Sequence, residues 1–124
     1  MPTKHFTAEE LRCKCGCGRV DMDAQFMARL EALRVSINRP LTISSGFRCV
    51  ESELAKGRTG NSAHTKGRAV DVSIRGKEAL ELVRLCQTFG FTGVGVSQFN
   101  TRRFIHLDDI EGTVTQPRPH IWSY

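Results

Sequence analysis

The chain has 124 residues, which is the usual length of one domain, so we expect a single domain covering residues 1–124. Its composition, 40% hydrophobic and 25% charged, is typical of globular proteins, and no apolar run nears the roughly 20 residues that span a membrane. The net charge of +5 is dispersed along the chain and lacks a long Lys/Arg run, which argues against nucleic-acid binding.

Helix and strand signals alternate in the first half of the chain. Thr7 and Glu10 have the spacing of a capping box, which predicts a short helical turn. Apolar residues recur every three or four positions over 23–37 and predict a helix. A short β-branched strand is predicted at 41–44. The polar, glycine-rich stretch 45–67 is interpreted as one long surface loop, and loops of this length in compact domains often carry function.

The second half of the chain supplies the remaining sheet. A strand is predicted over 68–74 and a helix over 77–89, with two paired strands after it at 94–99 and 104–107. The tail, 117–124, is interpreted as irregular. This order of elements predicts an α+β fold with a small antiparallel sheet and helices packed on it.

Candidate metal ligands lie in the loop and in two strands. Asp71 stands between apolar residues of one strand, and His106 and Asp108 alternate with apolar residues in another. Because side chains alternate across a sheet, these polar groups are expected on one face, with His64 in the preceding loop. Two histidines and a carboxylate are typical of catalytic zinc, and they leave a position for water. On spacing alone, these residues are also explained without a metal. His106 and Asp108 would then be a surface pair, Asp71 a turn or helix-capping acid, and His64 a solvated loop residue.

The cysteines form a second pattern. Cys13, Cys15 and Cys17 alternate along the chain, and Cys49 follows later. Together they offer a structural zinc site, but C-x-C-x-C differs from the usual C-x₂-C knuckle. Reduced thiols, or one disulfide to Cys49, are the favoured interpretation. The N-terminus lacks the apolar stretch of a signal peptide, so we expect synthesis in the cytoplasm and no full disulfide framework.

Three motifs carry a family resemblance. Residues 62–71 read S-x-H-x-x-G-x-A-x-D, residues 44–48 read S-S-G-F-R, and residues 104–108 read F-I-H-L-D. In this order and spacing they resemble the zinc D-alanyl-D-alanine carboxypeptidase family. That family includes vancomycin-resistance dipeptidases and the L-alanyl-D-glutamate endopeptidases of phage endolysins. It shares its metal-binding fold with the hedgehog signalling domain. The resemblance extends over nearly the whole chain, from about residue 6 to residue 109.

The resemblance assigns roles to particular residues. It implies that His64, Asp71 and His106 bind one zinc ion on the face of the sheet. It implies that Arg48 binds a substrate carboxylate or carbonyl, for which the planar donors of a guanidinium are suited. Ser62 is expected to contact substrate or to steady the ligand loop. A salt bridge that pins the loop is the competing role for Arg48, and a turn cap is the competing role for Ser62.

The general base departs from the family pattern. Several members place a glutamate three residues before the last histidine ligand, and this chain has Arg103 there. Asp108 is the candidate that replaces it, either as the base or as a partner that orients His106. Glu51 and Glu53 are lesser candidates.

The predicted function is therefore zinc-dependent hydrolysis of peptide bonds in bacterial peptidoglycan, by a monomer. The missing signal peptide and the resemblance together predict a phage or prophage endolysin, made in the cytoplasm and acting on the cell wall after release. The bond cleaved stays open between an L,D-endopeptidase and a D,D-carboxypeptidase. Two functions of a different kind also stay open: a zinc-retaining module without catalysis, which Arg103 permits, and a basic nucleic-acid binder.

Overall fold

The computed structural model describes residues 2–124 and confirms the predicted α+β class. Within this range the helices are α1 (Ala8–Leu11), α2 (Ala24–Ile37), α3 (Val50–Ala55) and α4 (Gly76–Cys86), and a 3₁₀ turn (Gln87–Phe89) continues α4. The strands are β1 (Thr42–Ser45), β2 (Ala69–Ser73), β3 (Gly93–Ser97), β4 (Phe104–Asp108) and β5 (His120–Ser123). Among the described residues, no helix combines the length and apolar character needed to cross a membrane.

Side-chain caps set the ends of the first two helices. Thr7 and Glu10 form the predicted capping box at the start of α1. Asp23 caps α2 by accepting a hydrogen bond from the Phe26 N–H at 2.9 Å. Asn38 ends α2 in the left-handed conformation, with φ 53°. The predicted bounds of α2 are therefore confirmed to within one residue.

The five strands form one sheet in the order β1-β2-β4-β3-β5. All neighbours are antiparallel except β3 and β5, which are parallel. The predicted pairing of the two strands around residues 98–102 is confirmed as β3 with β4. In the β2–β4 pair, Asp71 lies directly opposite His106. The central strands therefore place two of the predicted zinc ligands side by side.

Helices cover one face of this sheet. The core contains fully buried side chains from both layers, namely Phe26, Leu30, Leu33, Leu82, Val70, Val72, Ile105 and Leu107. Each such side chain contributes about 1.5–3 kcal/mol when it leaves water. Because the apolar residues of β2 and β4 face this core, the alternating polar residues lie on the other face. This confirms the predicted division of the two strands between a core face and a polar face.

Two segments differ from the sequence-based expectation. The loop at 45–67 contains α3, which is six residues long and is capped by the thiol of Cys49, an unusual capping group. The tail is not irregular, because His120–Ser123 pairs with β3 as an edge strand. That pairing joins residues more than twenty positions apart, so no local pattern in the tail announces it.

Two motif glycines allow the site loops to approach the N-terminal segment. A Cβ atom at Gly46 would lie 2.6 Å from the carbonyl oxygen of Leu11. At Gly67, where φ is +68°, a Cβ atom would lie 2.0 Å from the carbonyl oxygen of Asp21. The Gly67 carbonyl also accepts a hydrogen bond from the Asp23 N–H at 2.8 Å. Glycine at position 46 thus allows contact with the end of α1, and glycine at position 67 lets the loop that carries His64 lie against the start of α2.

Candidate metal centre

Three buried side chains meet on the polar face of the sheet. They are His64 from the loop before β2, Asp71 from β2 and His106 from β4, with relative exposures of 4%, 8% and 6%. Each offers one ligand atom, and these three atoms all lie within 4.8 Å of one another. The structure therefore brings together the residues that the sequence motifs singled out as zinc ligands.

The backbone fixes the orientation of His64. Its Nδ1 lies 2.7 Å from the carbonyl oxygen of Gly46, and a carbonyl only accepts hydrogen bonds. Nδ1 therefore carries the proton, and the unprotonated Nε2 points to Asp71 Oδ1 at 3.4 Å. The loop is held in turn by the Arg48 N–H, which donates to the His64 carbonyl at 3.3 Å.

Asp108 fixes the orientation of His106 in the same way. The Nε2 of His106 lies 2.7 Å from Asp108 Oδ2. The Asp108 carboxylate accepts a hydrogen bond from the Nε2–H group, which leaves Nδ1 facing Asp71 Oδ1 at 3.1 Å. Each imidazole thus has one nitrogen held by a partner and the other directed at the same carboxylate oxygen.

The separations of these atoms suit zinc. Ligands 2.0–2.1 Å from a tetrahedral zinc ion lie about 3.3 Å from one another. The two distances to Asp71 Oδ1, from His64 Nε2 and from His106 Nδ1, are 3.4 and 3.1 Å. Burial lowers the pKa of His64, so its neutral Nε2 directs a lone pair at a carboxylate with no proton between them. A cation relieves this contact, and a set of two imidazoles and one carboxylate is typical of catalytic zinc.

Both carboxylates of the site stay ionised. Burial alone raises the pKa of Asp71, but the hydrogen bond from His106 outweighs it and holds that pKa well below the usual range. Burial has the same effect on Asp108, and His106 and Arg118 lower its pKa to about 2. Asp71 therefore offers an ionised carboxylate oxygen to a cation at neutral pH.

Arg118 is a site residue that the sequence analysis missed. It lies in the tail and binds Asp108 through two hydrogen bonds, from Nε to Oδ1 at 2.9 Å and from Nη2 to Oδ2 at 2.8 Å. Its guanidinium stacks over the ring of Trp122, and that ring lies 5.2 Å from the His106 ring. The tail thereby closes one side of the site. A lone arginine in a segment interpreted as irregular gave no signal of this contact.

Arg48 lies beside the ligand set. Its Nη2 donates to Asp71 Oδ2 at 3.1 Å and its Nε donates to Ser45 Oγ at 3.0 Å. Its Nη1 lies 3.7 Å from the buried carboxylate of Glu53. These contacts form the loop-pinning ion pair that the sequence left open as a role for Arg48. The side chain is also 24% exposed, so part of the guanidinium remains accessible to a substrate.

The remaining candidate residues have partners in the surrounding loops. Ser62 Oγ donates to Glu53 at 3.2 Å and accepts from the Thr65 N–H at 3.3 Å. Glu53 also binds Arg58 at 2.8 Å. Ser62 and Glu53 thus steady the segment between Arg48 and His64.

The other two residues that bear on the general base, Glu51 and Arg103, make contacts elsewhere. Glu51 is largely exposed and lies 3.5 Å from Arg19. The Nε of Arg103 donates to the carbonyl of Asn100 at 2.8 Å.

Comparison with known proteins gives one family match. The family model described as Peptidase M15 matches residues 4–108, which is most of the chain and includes Arg48, His64, Asp71, His106 and Asp108. No curated protein matches the chain. Arg118 and Trp122 lie beyond the matched residues.

Proposed function

The chain belongs to the peptidase M15 family and is a zinc-dependent peptidase. We propose that it hydrolyses peptide bonds of bacterial peptidoglycan as a phage-type endolysin. The observation that carries the proposal is the convergence of His64 Nε2 and His106 Nδ1 on Asp71 Oδ1. The likeness of the three motifs to phage endopeptidases supports the lytic role. The net charge of +5 favours approach to an anionic wall polymer.

The ligand set is proposed to be His64 Nε2, Asp71 Oδ1 and His106 Nδ1. When bound there, Zn²⁺ polarises a carbonyl oxygen and lowers the pKa of water to about 7. Gly46 and Asp108 hold the outward nitrogens of the two imidazoles, which keeps both rings aimed at the metal. The protein therefore supplies a preformed three-ligand site.

Arg48 is proposed to bind the substrate. Its guanidinium contacts Asp71, so a carboxylate or carbonyl held by its exposed donors lies beside the ligand set. Stem peptides of peptidoglycan carry such groups at their D-residues. Glu53 and Ser45 hold the rest of the side chain in place, so little conformational freedom is lost when substrate binds.

Of the two roles open to Asp108, its contacts favour orientation of His106. Asp108 is fully buried, and both of its oxygens are bound, by His106 and by Arg118. Its pKa of about 2 also makes it a weak base, because general bases work best with a pKa near the operating pH. We therefore propose that Asp108 holds the His106 ring and does not accept the proton of the attacking water.

Asp108→Asn distinguishes the two roles. Asparagine keeps an oxygen that accepts from His106, so at saturating zinc we expect kcat/KM to fall by no more than about tenfold, with zinc affinity lowered about 10–100-fold. Loss of the charge opposite Arg118 should also reduce thermal stability. Asp109→Asn is the control, because it weakens buried ion pairs, with Arg68 and Arg29, outside the ligand set. If kcat instead falls by about a hundredfold or more with zinc fully bound, Asp108 acts as the base.

The proposed substrate is tested on intact wall material. Purified protein is incubated with peptidoglycan sacculi and, separately, with free pentapeptide, and the products are identified by mass spectrometry. We expect cleavage of sacculi; release of D-alanine from pentapeptide alone would assign a carboxypeptidase. A zinc-loaded protein that cleaves neither substrate would contradict the proposal and favour a non-catalytic binding module, the function that Arg103 keeps open.

A further inference from the structure

Four cysteines form a cluster apart from the ligand set of His64, Asp71 and His106. The cluster consists of Cys13, Cys15, Cys17 and Cys49, and their sulfur atoms all lie within 4.8 Å of one another. Cys13 and Cys49 are buried, whereas Cys15 and Cys17 are exposed. Packing of the core does not explain why four thiols from two distant segments lie together, because two of them, Cys15 and Cys17, are exposed.

Specific backbone contacts assemble the cluster. The Leu11 carbonyl accepts a hydrogen bond from the Phe47 N–H at 2.8 Å, which places residue 13 beside residue 49. The Cys13 N–H donates to the Arg19 carbonyl at 2.9 Å and closes the segment 13–19 into a loop. Gly16 turns inside this loop with φ +93°. The closed loop explains how a C-x-C-x-C sequence brings its sulfurs together without the usual knuckle spacing.

The sulfur separations suit a tetrahedral thiolate site. Zinc–sulfur bonds of about 2.3 Å place the four sulfurs of a tetrahedron about 3.8 Å apart. The Sγ atom of Cys13 lies 3.4 Å from that of Cys15 and 3.7 Å from that of Cys49, and the sulfurs of Cys15 and Cys49 are 3.5 Å apart. A disulfide would satisfy one pair at about 2.05 Å and leave the remaining two sulfurs unexplained.

Backbone donors are also aimed at the sulfurs. The Cys49 N–H points to Cys13 Sγ at 3.4 Å, and the Ser52 N–H points to Cys49 Sγ at 3.3 Å. Hydrogen bonds of this kind stabilise sulfur in its thiolate form, which is the form that binds metal. Soft thiolate ligands in tetrahedral arrangement select zinc among the common divalent ions.

We propose that Cys13, Cys15, Cys17 and Cys49 bind a second Zn²⁺ in a closed structural site. Binding releases the thiol protons and ties the loop 13–19 to the start of α3. Cys49 directly follows Arg48, so the site also fixes the backbone of the arginine that contacts Asp71. Only this last consequence, the positioning of a substrate-binding Arg48, rests on the proposed function.

The test is metal content measured apart from hydrolysis. Protein prepared under reducing conditions with zinc supplied is expected to hold two zinc ions, as measured by elemental analysis. The double substitution Cys15→Ser/Cys17→Ser should lose only the zinc ion of the cysteine cluster. His64→Ala should lose only the zinc ion of the site formed with Asp71 and His106. Both cysteines are exposed, so their replacement leaves the core intact. Cys86→Ser is the matched control, because Cys86 is a cysteine outside the cluster whose thiol donates to the Val83 carbonyl, and it should keep both ions.

Cobalt substitution supplies a second readout that does not depend on stoichiometry. Co²⁺ bound by thiolates gives an intense sulfur-to-metal absorption in the near ultraviolet. We expect this band in the wild type and in His64→Ala, and its loss in Cys15→Ser/Cys17→Ser. The proposal is overturned if the double variant keeps the wild-type zinc content, or if the wild type lacks the band. It is also overturned if peptide mapping shows a Cys15–Cys49 disulfide in protein that was never exposed to oxidant. Because neither readout uses a substrate, these outcomes are independent of whether the peptidase proposal holds.

Discussion

Replacement of His64 by alanine is expected to remove one zinc ion per chain and to lower peptidoglycan hydrolysis by at least about 10³-fold. Lewis-acid catalysis lowers the activation free energy by several kcal/mol, and each 1.36 kcal/mol changes the rate about tenfold. The remaining ligands, Asp71 and His106, are too few to hold zinc against solvent. The loss should appear in kcat and should not be restored by raising substrate concentration. Elemental analysis and the release of soluble peptides from sacculi measure the two effects.

His120→Ala is the control for this substitution. His120 is exposed in β5 and lies outside the ligand group, so its removal should leave both zinc content and hydrolysis unchanged. Circular dichroism of both variants shows whether the fold is kept. Wild-type activity in a His64→Ala protein that has lost its zinc would refute the proposed mechanism. Full zinc retention in that variant would refute the ligand assignment.

Replacement of Arg48 by lysine should raise KM and lower kcat/KM by about ten- to hundredfold, which is the effect of losing a charge-assisted hydrogen bond worth roughly 1.5–3 kcal/mol. Lysine keeps the positive charge near Asp71, but it cannot contact Ser45, Asp71 and a substrate group at once. Steady-state kinetics at saturating zinc measure this effect and remove any contribution from weaker metal binding.

Arg58→Ala is the comparison for Arg48. Both arginines pair with Glu53, but Arg58 binds it from the exposed side and does not contact Asp71. We expect Arg58→Ala to keep kcat/KM near the wild-type value. Equal losses in the Arg48 and Arg58 variants would show that the arginines act through Glu53 and the stability of the loop. In that case Arg48 would have no role in substrate binding.

The polar face of the central strands was predictable because strand alternation is a local rule. Val70 and Val72 bracket Asp71, and Ile105 and Leu107 bracket His106, so one apolar face implies one polar face. The register that sets Asp71 opposite His106 follows from strand pairing and could not be obtained from either strand alone. The motif resemblance supplied the link between the strands and the loop histidine.

Long-range contacts account for what the sequence did not reveal. Arg118 reaches Asp108 only because β5 pairs with β3 and folds the tail back over the site. The cysteine spacing argued against one tetrahedral ion, yet the contact between Leu11 and Phe47 brings Cys49 to the N-terminal thiols. In both cases the decisive partner lies in a different element, and single-segment patterns carry no information about it.

A crystal structure of zinc-supplied protein, with diffraction data collected on both sides of the zinc absorption edge, would show directly whether His64, Asp71 and His106 bind zinc. We predict an anomalous peak bounded by His64 Nε2, Asp71 Oδ1 and His106 Nδ1, which are the atoms that converge in this fold. Absence of anomalous signal at these three residues in protein that cleaves peptidoglycan would show that they do not form the catalytic metal site.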